Sequence, residues 1–289
     1  MAWLNVIVQG ILLGGLYALF ACGLSVMFGV MRIVNLAHGD LAVLAAFLAY
    51  SVTAGTPLGA FWAVVVVVPV FAGFGYALQR GLFQRSLSVG PLSTLLVTFG
   101  LSVVIQNALL QIYSADARAL PIGSLVTASV RLNTNVSVSY LSLITFGLAV
   151  VVIVAIQEFL GRTRTGRMMR AASDDPEAAT LVGADARHVY GVATAIAFAT
   201  VAMAGLMLAM RSSFDPSMGP TRLIFAFESV VIGGLGSLWG TLVGGIVLGL
   251  AQTVGAQIDP AFLLLGGHIV FLAVLAFRPQ GLIPARRLA

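Results

Sequence analysis

"RIVNLAHGDLAVLAAFLAY", Arg32–Tyr50, holds the question on which the fold turns. A long apolar run ends at Arg32, and a second run follows directly. Between them Asn35, His38 and Asp40 fall within six residues, around Gly39. In a helix, Asn35 and His38 would share a face, being three apart. Asp40 would point nearly opposite, and Gly39 invites a break. The spacing therefore predicts a helix interruption, with Asn35 or Asp40 capping a helix that starts at Leu41. Such a break is either a cap at a membrane-edge turn or an interruption inside the membrane. Unwound backbone at depth is tolerated only where it is buried in protein or lines water. Membrane carriers use broken helices in this way to present polar groups at mid-depth.

Composition supports a membrane setting. The 289 residues are 60% hydrophobic and 9% charged, and the mean hydropathy is +1.05. A soluble domain carries about 25% charged residues. The apolar runs are continuous and reach the roughly 20 residues that a helix needs to cross hydrocarbon. They are not the alternating strands of about ten residues that a β-barrel needs. The expected class is an all-α polytopic membrane protein of about eight to ten transmembrane helices, with broken or short segments near 31–40 and 221–240. All 15 basic residues are arginine, so the lysine of a nucleotide-binding P-loop is missing. The single cysteine, Cys22, sits in an apolar run and excludes an internal disulfide framework. The first segment, with no basic region ahead of it, is expected to be a retained helix rather than a signal peptide.

Nine apolar segments are expected, at 3–30, 38–54, 59–79, 91–113, 138–160, 188–210, 221–236, 238–257 and 261–277. They form one membrane domain over 1–289, with an outer loop at 114–137 and an inner loop at 161–187. With the inner loop in the cytoplasm, Arg32, Arg80, Arg85, Arg162, Arg164, Arg167, Arg170, Arg187, Arg278, Arg286 and Arg287 share that side. Only Arg118, Arg131, Arg211 and Arg222 lie opposite. The positive-inside rule then puts the N-terminus outside and the C-terminus in the cytoplasm. It also accounts for the basic balance without nucleic acid.

The inner loop contains a helix signal. Asp174 is expected to cap, Pro176 suits a first turn, and Glu177 lies three residues on from Asp174. Ala178, Ala179, Thr180, Leu181 and Val182 continue the helix, and Gly183 suits a left-handed stop. A helix this short is marginal alone. Ala178 and Ala179 make it slim enough for a groove, while Leu181 and Val182 offer apolar contact. The plain alternative is a surface helix packed on its own protein.

Several motifs together carry a resemblance. "EAATLVG", Glu177–Gly183, resembles the Glu-Ala-Ala-x-x-x-Gly signature of ABC importer permeases. "NLAHGD", "TFGLSVVIQN", "VIGGLGSLWGTLVGGIVLG" and "FRPQGL" resemble, in order, motifs of the branched-chain (hydrophobic) amino acid permeases. Glu228 and Ser229 depart from that pattern, and related permeases carry urea, short amides or aromatic acids. The resemblance implies the shorter, H-type member of a permease pair in a bacterial inner membrane. It implies a second related permease, two ATP-binding cassette subunits holding ATP and magnesium, and an extracytoplasmic binding protein. The loop around Asp174, Pro176, Glu177, Ala178, Ala179, Leu181 and Gly183 would couple to the ATPases. This chain itself would bind no cofactor and catalyse nothing.

Other residues divide between path and packing. A charge inside a membrane segment costs a few kcal/mol and faces a cavity or a partner. Glu228 therefore joins Asn35, His38 and Asp40 as a candidate flank of the translocation path; its plain alternative is a salt bridge to Arg222 or to an arginine of a second subunit. Thr94 and Thr98 are weaker path candidates. Gly236, Gly240, Gly244, Gly245 and Gly249 carry the small-x-x-x-small spacing that lets membrane helices touch. No Cys/His spacing suggests a metal. A proton-coupled carrier acting through Asp40, Glu228 or His38 is the competing class, and a membrane enzyme the third.

Overall fold

The computed structural model describes residues 2–54, 59–120, 122–123, 128–133, 136–181, 183 and 185–284. It is helical almost throughout. The helices are α1 (Ala2–Met31), α2 (His38–Ala54), α3 (Ala60–Leu78), α4 (Gln84–Leu87), α5 (Pro91–Tyr113) and α6 (Tyr140–Arg162). They continue with α7 (Arg164–Asp174), α8 (Pro176–Leu181), α9 (Ala186–Arg211), α10 (Gly219–Gly233), α11 (Leu238–Ile258) and α12 (Phe262–Phe277). Among the described residues, six spans are long and apolar enough to cross a membrane: α1, the α3–α4 unit, α5, α6, α9 and α11. α2 and α12 are apolar but shorter. α10 has only 15 residues and carries Arg222 and Glu228.

The bundle has a centre and a rim. In its most apolar window α1 is 83% buried, against 17% for α5. α1 packs on α9, α10, α11 and α6. The rim helices expose Trp62, Val65, Leu96, Phe99, Val104, Val151 and Leu272, side chains suited to hydrocarbon. Close packing at the centre depends on small residues. A methyl added at Gly245 would stand 2.6 Å from the Gly14 carbonyl oxygen, and one at Gly249 would stand 2.3 Å from that of Gly10. α1 and α11 thus touch through two matched small-x-x-x-small pairs. Gly240 and Gly244 face α10 instead, 2.4 Å and 2.0 Å from the carbonyls of Gly233 and Ser229 by the same measure. Gly236 lies outside both helices, in the turn between them, at φ 79°.

Three regions differ from the sequence reading. The segment expected to end at 79 continues through a π-helical turn, Gln79–Phe83, into α4, so Arg80 and Arg85 lie on one span, Ala60–Leu87. Continued helix formation won because no proline interrupts 79–87 and Gly81 is accommodated inside the π-helical turn, and Thr194 Oγ1 donates to the buried Gln79 Oε1 at 2.8 Å. The basic stretch 161–170 is largely the helix α7, which buries Gly166, Met169 and Ala172 on one face. The outer loop carries a hairpin, β1 (Ser129–Asn133) and β2 (Val136–Ser139). Earlier in that loop, Arg118 and Phe214 exchange two backbone hydrogen bonds of 2.8 Å. Pro121 lies outside the described residues.

Candidate functional site

The interruption after α1 is real, but its geometry is not the expected one. Arg32 takes a left-handed φ of 54°, and the chain turns back along α1. Asn35 makes the turn: its Oδ1 accepts from Ala37 N at 3.0 Å and its carbonyl from His38 N at 3.2 Å. The helix starts at His38, not Leu41, so Asn35 is the capping residue and Asp40 sits inside the first turn. Gly39 is no breaker. A methyl on it would stand 1.9 Å from the Gly219 carbonyl oxygen, so its role is close approach.

His38 fixes the depth of this turn. Its Nε2 lies 2.8 Å from the Phe20 carbonyl oxygen. A carbonyl only accepts, so Nε2 carries the hydrogen. Phe20 is eleven residues from the end of α1, about 16 Å along its axis at 1.5 Å per residue. α2 therefore starts deep inside the bundle, and Asn35, His38 and Asp40 are all buried.

α10 starts at the same place. Gly219 is so close to α2 that an added methyl would stand 1.9 Å from Asp40 Oδ1. The other oxygen, Oδ2, accepts from Ser102 Oγ of α5 at 2.6 Å. A carboxylate at the first turn of α10 is electrostatically favoured by the helix dipole. Asp40 thus joins three elements: its own helix, the start of α10, and α5.

Glu228 does not join that cluster. It is nine residues beyond Gly219, roughly 180° around the α10 axis. Its carboxylate is buried and hydrogen-bonded to His268 Nδ1 of α12. The arginine partner weighed as the alternative for Glu228 is not the one found here; its partner is a histidine forty residues along the chain. Thr94 and Thr98 are buried too. Thr94 Oγ1 accepts from Ser86 at 3.2 Å, and Thr98 donates to the Leu95 carbonyl at 3.0 Å.

The inner helix α8 is present, with a different cap. Asp174 ends α7, while Asp175 Oδ1 accepts from Ala178 N at 3.0 Å. Gly183 takes φ 86° and closes the helix onto the Thr180 carbonyl. Ala179 is buried against its own chain, whereas Leu181 is 89% exposed. Val182 lies outside the described residues. α7 is tied to the end of α1: the Ser173 hydroxyl donates to the Gly29 carbonyl, and Arg32 reaches the Ser173 carbonyl at 3.5 Å. Movement of α8 has a short route to the broken end of α1.

The comparisons with known proteins converge. The sequence profile described as branched-chain amino acid transport system / permease component matches residues 6–276. The chain belongs to that permease family. It is similar to the high-affinity branched-chain amino acid transport system permease protein BraD of Pseudomonas aeruginosa, at 28% identity over 97% of this chain and 95% of that protein. The corresponding LivH protein of Escherichia coli K12 is 24% identical over 95% and 93% of the two chains. LivM of the same organism matches more locally, at 29% identity over 52% of this chain and 35% of that protein. The permease is a multi-pass membrane protein.

Sequence reasoning missed part of this permease's interior. Tyr17 donates to Gln252 Oε1 at 2.5 Å between α1 and α11. A buried guanidinium nitrogen of Arg211 and one of Arg222 have no hydrogen-bond partner among the described residues. Ser102 and His268 were missed as well. Each looks unremarkable in a linear chain; only the meeting of α2, α5, α10 and α12 gives it a partner.

Proposed function

We propose that this permease is the membrane-crossing subunit of an ATP-driven ABC importer for branched-chain or other hydrophobic amino acids. The observation that carries the reading is the family match across residues 6–276, on a chain with two helices that start against one another inside the bundle. α2 and α10 meet at Gly39 and Gly219. Paired half-helices suit a carrier because they bring polar groups to depth without opening backbone to lipid.

In this reading the N-terminus is outside and the C-terminus is in the cytoplasm, following the eleven-to-four arginine bias. The α7–α8 corner then faces two ATPase subunits, which supply the ATP and magnesium sites. Leu181 docks on them, and closure moves α7 against Gly29 and Arg32. A second related permease completes the path, and a binding protein delivers solute at the outer hairpin. Asn35, His38, Asp40 and Glu228 act within the bundle as joints of the moving parts. This differs from a simple polar lining, since all four are buried and each already has a polar partner.

The test is uptake by vesicles holding the reassembled complex, with labelled leucine, urea, acetamide and phenylalanine offered in turn. The reading expects leucine uptake that needs ATP, stops with vanadate and survives a protonophore. Uptake without ATP that collapses with a protonophore would favour proton coupling through Asp40, His38 or Glu228 instead. Preference for urea or acetamide would keep the machinery and replace the solute.

A further inference from the structure

A cavity of about 410 Å³ opens beside the π-helical turn, lined by Arg80, Gln84, Arg85, Ser88 and Arg187. Three cations therefore surround one space, two from the α3–α4 span and one from the start of α9. None of the three has a carboxylate partner among the described residues. The nearby Asp185 is occupied as the α9 cap, accepting from the backbone nitrogens of Arg187 and His188.

The two walls are held together, and Arg80 is held with them, while the three arginines remain exposed. The Tyr76 hydroxyl meets His188 Nδ1 at 3.0 Å. The Tyr76 ring packs where a side chain on Gly191 would collide with it, at 2.6 Å. Arg80 stacks over the same ring, 5.6 Å from its centroid. The π-helical turn sets the register of Arg80 against Arg85, and such turns recur at functional sites.

The same stretch of chain, from the π-helical turn to the start of α5, also carries exposed apolar side chains. Leu82, Val89 and Leu92 are exposed, Val89 at 79%. A phosphate flanked by hydrocarbon matches both parts, because guanidinium forks pair with phosphate oxygens and the apolar residues suit acyl chains. Basic pockets between helices at a membrane face bind lipid headgroups in this way. We infer that this cavity is a binding site for the phosphate headgroup of an anionic phospholipid. Placing it in the cytoplasmic leaflet rests on the orientation proposed above; the chemistry of the site does not.

Native mass spectrometry of the delipidated complex in detergent tests this. Phosphatidylglycerol, phosphatidylcholine and inorganic phosphate are added separately. An arginine near an anionic headgroup contributes roughly fivefold in binding. Arg80→Gln, Arg85→Gln and Arg187→Gln should each weaken the phosphatidylglycerol adduct by about fivefold, and the triple variant by on the order of a hundredfold. Arg162→Gln, a surface control paired with Glu158, should leave it unchanged. The single variants keep the test valid if the triple variant fails to fold. Equal adducts in the wild type and the single variants would overturn the inference. So would equal retention of phosphatidylcholine, or binding of inorganic phosphate without the lipid. Variants that keep the lipid but shed the ATPase subunits would reassign the cavity to protein docking. The readout needs neither transport nor ATP, so its failure is separable from failure of the transport reading.

Discussion

The Ser102 hydroxyl donates to the Asp40 carboxylate at 2.6 Å, and this bond links a rim helix to the centre of the bundle. Most of the length of α5 is exposed; further ties lie at its two ends, Ser86 to Thr94 and Ser51 and Phe47 to Tyr113. Hydrogen bonds to a charged group are worth about 1.5–3 kcal/mol, and leaving a buried acceptor unpaired costs a similar amount. Ser102→Ala should therefore lower the thermal midpoint of the purified protein in detergent, and Ser102→Thr should restore most of it. Equal midpoints for the wild type and Ser102→Ala would remove Asp40 as the tie.

The approach of α2 to α10 makes a sharper demand. Gly39→Ala puts a methyl 1.9 Å from the Gly219 carbonyl oxygen, a separation that only backbone movement relieves, and Gly219→Ala puts one 1.9 Å from the Asp40 side-chain oxygen and 2.9 Å from the Asp40 Cα. Both should yield little folded protein in the membrane fraction. Gly147→Ala has open space around it and should express as the wild type does. Normal yield of Gly39→Ala would mean the two helices do not meet as described.

The interior of α10 gives a third expectation. Glu228 is buried while His268 is 41% exposed; leaving the buried carboxyl group without its hydrogen-bond partner costs about 1–3 kcal/mol, while replacing both partners costs much less. His268→Leu should destabilise more than the double variant Glu228→Gln/His268→Leu. A double-mutant cycle from thermal unfolding reads this directly, and additive effects would show that the two side chains act independently.

The spans and the inner helix were legible because they depend on local pattern. Apolar runs long enough to cross hydrocarbon, an acidic residue before Pro176 and a glycine at 183 act within a few residues of themselves. The boundary at Arg32–His38 was legible as an interruption with Asn35 or Asp40 as its cap, of which Asn35 is the one found, but the helix start at His38 rather than Leu41 was not. Gly39 reads as a breaker in one dimension, and only the arrival of Gly219 shows it to be a contact. Glu228 announced the need for a partner, yet nothing local named His268. The extension of the third span through 79–87 escaped because Arg80 and Arg85 look like a loop until the π-helical turn places them. The hairpin at 129–139 was masked by its Ser/Thr/Asn content, although Val130, Val136 and Val138 sit at alternating positions.

Leu181 offers a fourth expectation, at the proposed coupling corner. It is exposed, so Leu181→Asp should fold normally. It should reduce co-purification of the ATPase subunits and ATP-driven uptake together, by an order of magnitude or more if it sits at the centre of an interface. Full uptake in Leu181→Asp would place coupling elsewhere on the chain.

The most direct test places one reporter thiol at that corner. The native Cys22 is fully buried, so Leu181→Cys supplies an accessible thiol without competition. In the assembled complex the account predicts protection of this thiol by the ATPase subunit, cross-linking to it, and a cross-linking yield that changes when ATP and vanadate are added. A thiol that stays freely labelled in the transport-active complex in every nucleotide state would contradict it.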